Sequence, residues 1–63
     1  MNAVYIFIGE WKYDGMTILA VRFDKHQAFN DFQSILEADQ FQHDSYRLEE
    51  WTEQGHTVID ERC

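Results

Sequence analysis

The chain contains no proline, a single cysteine and no long apolar run in 63 residues. One cysteine cannot form an intramolecular disulfide, and no Cys/His spacing resembles a structural zinc site. No segment approaches the roughly 18 apolar residues of a membrane span, and the first residues lack the basic segment and apolar core of a signal peptide. A free thiol at Cys63 suits a reducing compartment. These absences predict a cytoplasmic protein without a metal site or cofactor.

The length of the chain predicts one domain spanning residues 1–63. A domain this small buries a limited share of its surface, and it has neither disulfide nor zinc to reinforce it. Its stability must therefore come from a core of Phe, Tyr, Trp and Ile or from self-association.

Basic residues are scarce: five Lys and Arg oppose twelve Asp and Glu, which gives a formal net charge of −7. The charges of residues 1–23 cancel, so the whole excess belongs to residues 24–63. A field of this sign repels phosphate backbones and predicts no direct binding of nucleic acid. It serves solubility alone or attracts a partner with a basic surface.

The first third of the chain predicts a β-hairpin. Residues 4–8 are β-branched or aromatic, and residues 16–23 have the same character. The intervening Asp14-Gly15 pair favours a two-residue type I′ turn, because both central positions of that turn require positive φ.

An amphipathic helix is predicted next, over residues 25–39. Asp24 and Gln27 stand at the N-cap and N3 positions of a capping box. Apolar residues then recur at the spacing of one helical face, at Ala28, Phe29, Phe32, Ile35 and Leu36.

The rest of the chain predicts two further strands, over residues 45–52 and 57–59, joined at Gln54-Gly55. The expected fold is α+β in the order ββαββ. It consists of an antiparallel three- to four-stranded sheet with one amphipathic helix packed on one face.

The two-residue turn sets an expected register for the first hairpin, because side chains alternate between the two sides of a sheet. One side is then an aliphatic bed for the helix, made of Ile6, Ile8, Leu19, Val21 and Phe23. The other is predicted to be an exposed aromatic interface with a gap over Gly9 and Ala20, formed by Tyr5, Phe7, Trp11, Tyr13, Met16, Ile18 and Trp51. A one-residue slip at the hairpin would exchange the two sides.

The same alternation in the second hairpin places Tyr46, Leu48 and Ile59 in the core. Carboxylates are expected to border the aromatic interface, namely Glu37, Asp39, Asp44, Glu49, Glu50 and Glu53. Exposed apolar patches of this size usually mark interfaces. Three possibilities are open for what covers the aromatic interface: a second copy of the chain, a foreign protein, or the C-terminal part of the chain.

Catalytic patterns are missing from the sequence. The three histidines, His26, His43 and His56, are far apart, and none has the spacing of a metal ligand set. There is no Gly-rich phosphate loop and no Ser–His–Asp arrangement, and a chain this short rarely encloses a pocket for paired carboxylates. The sequence therefore predicts a protein that is not an enzyme.

The chain resembles small, mostly uncharacterised ββαββ proteins of phages and bacterial mobile elements. The resemblance spans residues 4–51 and lies in VYIFIGEWKYDGMTILAVRFDKHQAFNDF followed by YRLEEW. It implies an accessory protein, since such small acidic proteins often act as stoichiometric inhibitors of host enzymes, sometimes as DNA mimics. The combined expectation is an inhibitor or adaptor that binds a basic host protein, such as one that itself binds nucleic acid. The alternative is a homodimeric structural domain without catalytic activity.

Overall fold

A computed structural model describes residues 3–62, so the predictions made for Cys63 lie outside the described residues. The chain forms four strands and one helix in the order β1 (Val4–Trp11), β2 (Gly15–Arg22), α1 (Lys25–Ala38), β3 (Ser45–Thr52) and β4 (Gly55–Arg62). The strands form one antiparallel sheet in the order β2-β1-β3-β4. The predicted α+β fold with ββαββ order is confirmed. No helix within residues 3–62 is long and apolar enough to span a membrane.

Helix α1 begins as its sequence predicts. Asp24 is the N-cap, and its carboxylate accepts a hydrogen bond of 3.0 Å from the backbone N–H of Gln27. After the helix ends, Gln40 and Phe41 both adopt left-handed backbone conformations, with φ of 58° and 52°. The N–H of Phe41 donates to the carbonyl of Leu36, which satisfies one of the last helical acceptors.

The core lies between α1 and one face of the sheet. Phe7 and Leu48 stand opposite each other on the two central strands and are fully buried. They pack in one cluster with Ala28, Phe32 and Leu36 of the helix. Tyr46, Leu48 and Ile59 lie in or against this core, as predicted for the second hairpin.

The first hairpin differs from its predicted register. Trp11 pairs with Gly15, so the loop contains residues 12–14 instead of the two-residue Asp14-Gly15 turn. Gly15 has a φ of 93°, a conformation that glycine adopts without steric cost. Farther along, the register shifts between Phe7 and Ile8, and Leu19 is the extra residue on β2. A bulge of this kind changes which face the following residues occupy.

The predicted assignment of faces is wrong for two reasons: α1 covers the Tyr5 and Phe7 side of β1, and the three-residue loop places Met16 and Ile18 on the opposite side. Tyr5 and Phe7 were expected on an exposed interface, but they face α1 and are 6% and 0% exposed. Ile6 and Ile8 were expected beneath the helix, but they alternate with Tyr5 and Phe7 and so lie on the opposite face. Only Leu19, among the five predicted bed residues, packs against the core.

The two hairpins have similar outer strands, although three residues separate Trp11 from Gly15 and only two separate Thr52 from Gly55. Their outer strands read Thr-Ile-Leu-Ala-Val-Arg at residues 17–22 and Thr-Val-Ile-Asp-Glu-Arg at residues 57–62. Each pairing contains one register shift, and Leu19 and Ile59 are the extra residues. Ile18 and Val58 therefore occupy equivalent positions at the two outer edges of the sheet.

Candidate functional site

The candidate site is the face of the sheet opposite α1, called here the open face. Alternation along each strand, corrected for the two bulges, assigns its members. They are Val4, Ile6, Ile8, Glu10, Met16, Ile18, Val21, Ser45, Arg47, Glu49, Trp51, His56, Val58 and Glu61.

The outer strands leave the apolar part of this face exposed. Met16 and Ile18 on β2 are 59% and 60% exposed, and Val58 on β4 is 43% exposed. Trp51 on β3 is 40% exposed, and its ring stacks on His56 of β4 at a centroid distance of 4.2 Å. Met16, Ile18 and Trp51 were all predicted as interface residues, and the structure places all three on the open face.

An ion pair occupies the middle of the open face. The guanidinium of Arg47 donates to Glu49 at 2.6 Å and to Glu10 at 3.0 Å. The indole N–H of Trp51 donates to the other carboxylate oxygen of Glu49 at 3.0 Å. Burial alone would raise the pKa of Glu49, but the hydrogen bonds from Arg47 and Trp51 outweigh it and lower that pKa below its ordinary value.

This network fixes the centre of the face. Glu49 is only 5% exposed, and both of its oxygens are bonded to side chains of its own strand. The open face therefore has a rigid polar centre flanked by exposed aliphatic and aromatic side chains on the outer strands.

The other predicted interface residues lie elsewhere. Tyr13 is in the β1–β2 loop and is almost fully exposed. Trp11 faces the helix side, where its ring stacks on His43 at 4.1 Å, and its indole N–H donates to the carbonyl of Gln42. The predicted aromatic interface is thus distributed over the core, a loop and two faces.

The six predicted border carboxylates do not form one border either. Four of them bind their own chain: Asp39 contacts His43, Asp44 accepts from the N–H of Lys12, Glu49 pairs with Arg47, and Glu50 accepts from Tyr5. Only Glu37 and Glu53 lie exposed without a role in joining separate elements. Several carboxylates that were predicted to be surface charge therefore stabilise the fold instead.

Sequence reasoning missed a buried polar cluster around His43. Nδ1 of His43 lies 2.6 Å from a carboxylate oxygen of Asp39, and the hydroxyl of Tyr46 donates to the same oxygen at 2.5 Å. Burial alone would raise the pKa of Asp39. The hydrogen bonds from Tyr46 and His43 outweigh burial and lower that pKa below its ordinary value. Burial and the bond to Asp39 raise the pKa of Tyr46.

The His43 ring covers Gly9, which fills the gap that the sequence predicted over Gly9. A Cβ at position 9 would lie 2.7 Å from the ring. Nε2 of His43 is buried and has no hydrogen-bond partner among the described residues. The cluster locks the α1–β3 connection onto β1 through the stacking of His43 on Trp11 and its contact with Gly9. A glycine inside a strand was the one available signal of such a close approach.

A cleft of about 350 Å³ opens beside this cluster and is lined in part by Leu36, Phe41, Tyr46 and Arg62. Within residues 3–62, no group of three or more His, Cys, Asp or Glu side chains is placed to hold a metal ion.

Comparison with known proteins finds no family model, curated protein or solved structure that matches this chain.

Proposed function

We propose that this chain is a non-catalytic protein-binding module that docks a basic protein partner against its open face. One observation carries the proposal: five large apolar side chains are exposed on a single sheet face, namely Met16, Ile18, Val21, Trp51 and Val58. A chain that buries Phe7 and Leu48 completely has the capacity to form a dry core. Exposed apolar surface on the other side of the same sheet is typical of an interface.

The charges on the open face favour a basic partner. Glu10, Glu49 and Glu61 lie on this face with Arg47 as the one cation among the described residues placed there. Arg47 is already held by two of these carboxylates, so it offers little to an acidic partner. The excess of negative charge on the molecule would speed the approach of a basic surface and make binding dependent on salt.

The DNA-mimic form of this proposal has less support. A mimic must present carboxylates to the partner in place of phosphates. Asp39, Glu49 and Glu50 instead accept hydrogen bonds from their own chain and are buried or half-buried. Inhibitor or adaptor action through apolar contact, with charge as a secondary contribution, agrees better with this geometry.

The proposal is tested with affinity capture from a lysate of the native host, quantified by mass spectrometry. Val58→Lys places a charge on the exposed apolar surface of the open face, at the outer strand β4, without touching the core. Ser34→Lys is the matched control, since it adds the same charge at an exposed helix position. We expect a protein that is enriched by the wild type and by Ser34→Lys, lost with Val58→Lys, and progressively released as salt concentration rises.

Two results would contradict the proposal. One is a set of captured proteins that Val58→Lys retains in full, because the open face would then not be the docking surface. The other is that no captured protein differs in amount between Val58→Lys and the wild type. If the captured protein is not released as the salt concentration rises, only the expectation that the partner is basic is contradicted.

A further inference from the structure

Exposed apolar side chains concentrate around β2, at one edge of the sheet. Nine large hydrophobic residues are exposed within residues 3–62, and only three of them, Phe41, Trp51 and Val58, lie away from this edge. The other six lie on β2, in its flanking loops or in the nearby first half of α1, namely Tyr13, Met16, Ile18, Val21, Phe23 and Phe29.

The outer edge of β2 also offers unpaired backbone groups. Among the described strands, β2 and β4 each pair with a neighbour on one side only. Natural proteins protect such edges with charged residues or proline. β4 carries Asp60, Glu61 and Arg62, whereas β2 has no proline and a single charged residue, Arg22 at its end. Both outer strands contain a bulge, so the bulge does not distinguish them and the difference in charge does.

The distribution of charge favours a second copy of this chain as the occupant. Residues 1–23 are neutral, and the whole net charge of −7 belongs to residues 24–63. Two copies that meet through β4 or α1 would bring these acidic regions together, which costs electrostatic energy. Contact through β2 instead places neutral hairpins against each other and keeps the acidic regions apart.

We propose that β2 pairs antiparallel with β2 of a second copy, so that two four-stranded sheets become one eight-stranded sheet. Antiparallel pairing of a strand with its own copy has two-fold symmetry and closes the interface. Dimerisation satisfies the backbone donors and acceptors of this edge and brings its exposed side chains beside those of the second copy. It also joins two open faces into one larger surface. The inference depends on the unpaired edge of β2, whereas the proposed function depends on the open face, to which Met16, Ile18 and Val21 of this strand also belong.

The equivalence of the two hairpins provides a matched pair of variants. Ile18→Lys puts a charge on the β2 edge, where it meets its own copy near the two-fold axis, and Val58→Lys puts the same charge at the corresponding place on β4. Sedimentation equilibrium should give a wild-type mass of twice 7.6 kDa at high concentration. We expect Val58→Lys to remain dimeric and Ile18→Lys to become monomeric while retaining the circular dichroism of the fold. Added salt should strengthen the dimer, since it screens repulsion between two acidic chains.

Amide hydrogen exchange of the wild type tests the same edge without any variant. Amides on the outer edge of β2 should exchange more slowly as the protein concentration rises, and those on the outer edge of β4 should not. A wild type that stays monomeric up to about 1 mM would overturn the proposal, because that limit corresponds to only about 4 kcal/mol of association energy. Equal loss of the dimer in both lysine variants, or equal slowing at both edges, would also overturn it, because the copies would then meet elsewhere. The opposite effect of salt separates this dimer from the binding of a basic partner, so either can fail alone.

Discussion

At the scale of single residues, the contact between Gly9 and His43 decides how the α1–β3 connection is held. The ring of His43 lies directly over the glycine, where any side chain would collide with it. Asp39 at the end of α1 and Tyr46 on β3 both contact the ring, and Trp11 of β1 stacks on its face. One missing Cβ thus allows a buried polar cluster to join helix, loop and strand.

We expect Gly9→Ala to destabilise the protein by about 1–3 kcal/mol, the usual cost of forcing extra volume into a packed site. The added methyl would lie 2.7 Å from the ring and displace His43 from Asp39. Urea unfolding followed by tryptophan fluorescence measures the change. The control places Gly9→Ala in a His43→Ala background, where the obstructing ring is absent. An undiminished cost in that background would show that the ring does not cause the effect.

At the scale of elements, the segment after α1 carries local backbone strain. Gln40 and Phe41 are consecutive residues with positive φ, and neither is glycine. L-residues pay about 1–2 kcal/mol in this region, and glycine does not. Phe41 is partly compensated, because its ring packs edge-on against Tyr46. Gln40 is exposed and has no such compensation among the described contacts.

We therefore expect Gln40→Gly to raise the free energy of unfolding by about 0.5–1 kcal/mol, after the entropy that glycine adds to the unfolded chain is counted. Gln42→Gly is the control, since it makes the same replacement two residues later, where φ is not positive. That variant should be neutral or destabilised. Thermal unfolding measures both, and a destabilised Gln40→Gly would contradict the strain assigned to position 40.

The sequence predicted the elements well and their faces poorly. Some features depend only on local patterns, and the structure confirms them. They are the cap at Asp24, the apolar stripe of α1 and the order of the strands along the chain. The faces of the first hairpin depend on register, which the three-residue loop and the extra residue at Leu19 both change, and on which side of the sheet α1 covers. Nothing in Thr17-Ile18-Leu19-Ala20 marks a bulge locally. Comparison with Thr57–Arg62 would have shown that the two outer strands are alike, but not that both bulge.

The candidate site was predicted in part for the same reason. Met16, Ile18 and Trp51 reach the open face, whereas Tyr5 and Phe7 on β1 belong to the core. Their aromatic character gave no way to distinguish the two faces, because β1 is apolar on both. Deciding between them required the helix packed against one side.

At the scale of the whole molecule, acidic residues have two separate roles. Twelve carboxylates give the chain its charge, but Asp39 and Glu49 also accept short hydrogen bonds that stabilise the fold. Both have a pKa below its ordinary value. For such a group the unfolded chain binds protons first as the pH falls, so the stabilisation is complete above the ordinary carboxyl pKa and is lost on passing down through the folded value.

We therefore expect stability to fall as the pH decreases from about 5 to 3, the range just below ordinary carboxyl pKa values. Protonation of the remaining exposed carboxylates acts in the other direction, because it relieves repulsion in an acidic chain. Glu49→Gln separates the two effects. At pH 7 it should lose about 1–3 kcal/mol, because Arg47 and Trp51 lose a charged acceptor in a buried site. Urea midpoints across this pH range should then decline less steeply in Glu49→Gln than in the wild type. Parallel profiles would mean that the buried ion pair on the open face contributes nothing to acid sensitivity.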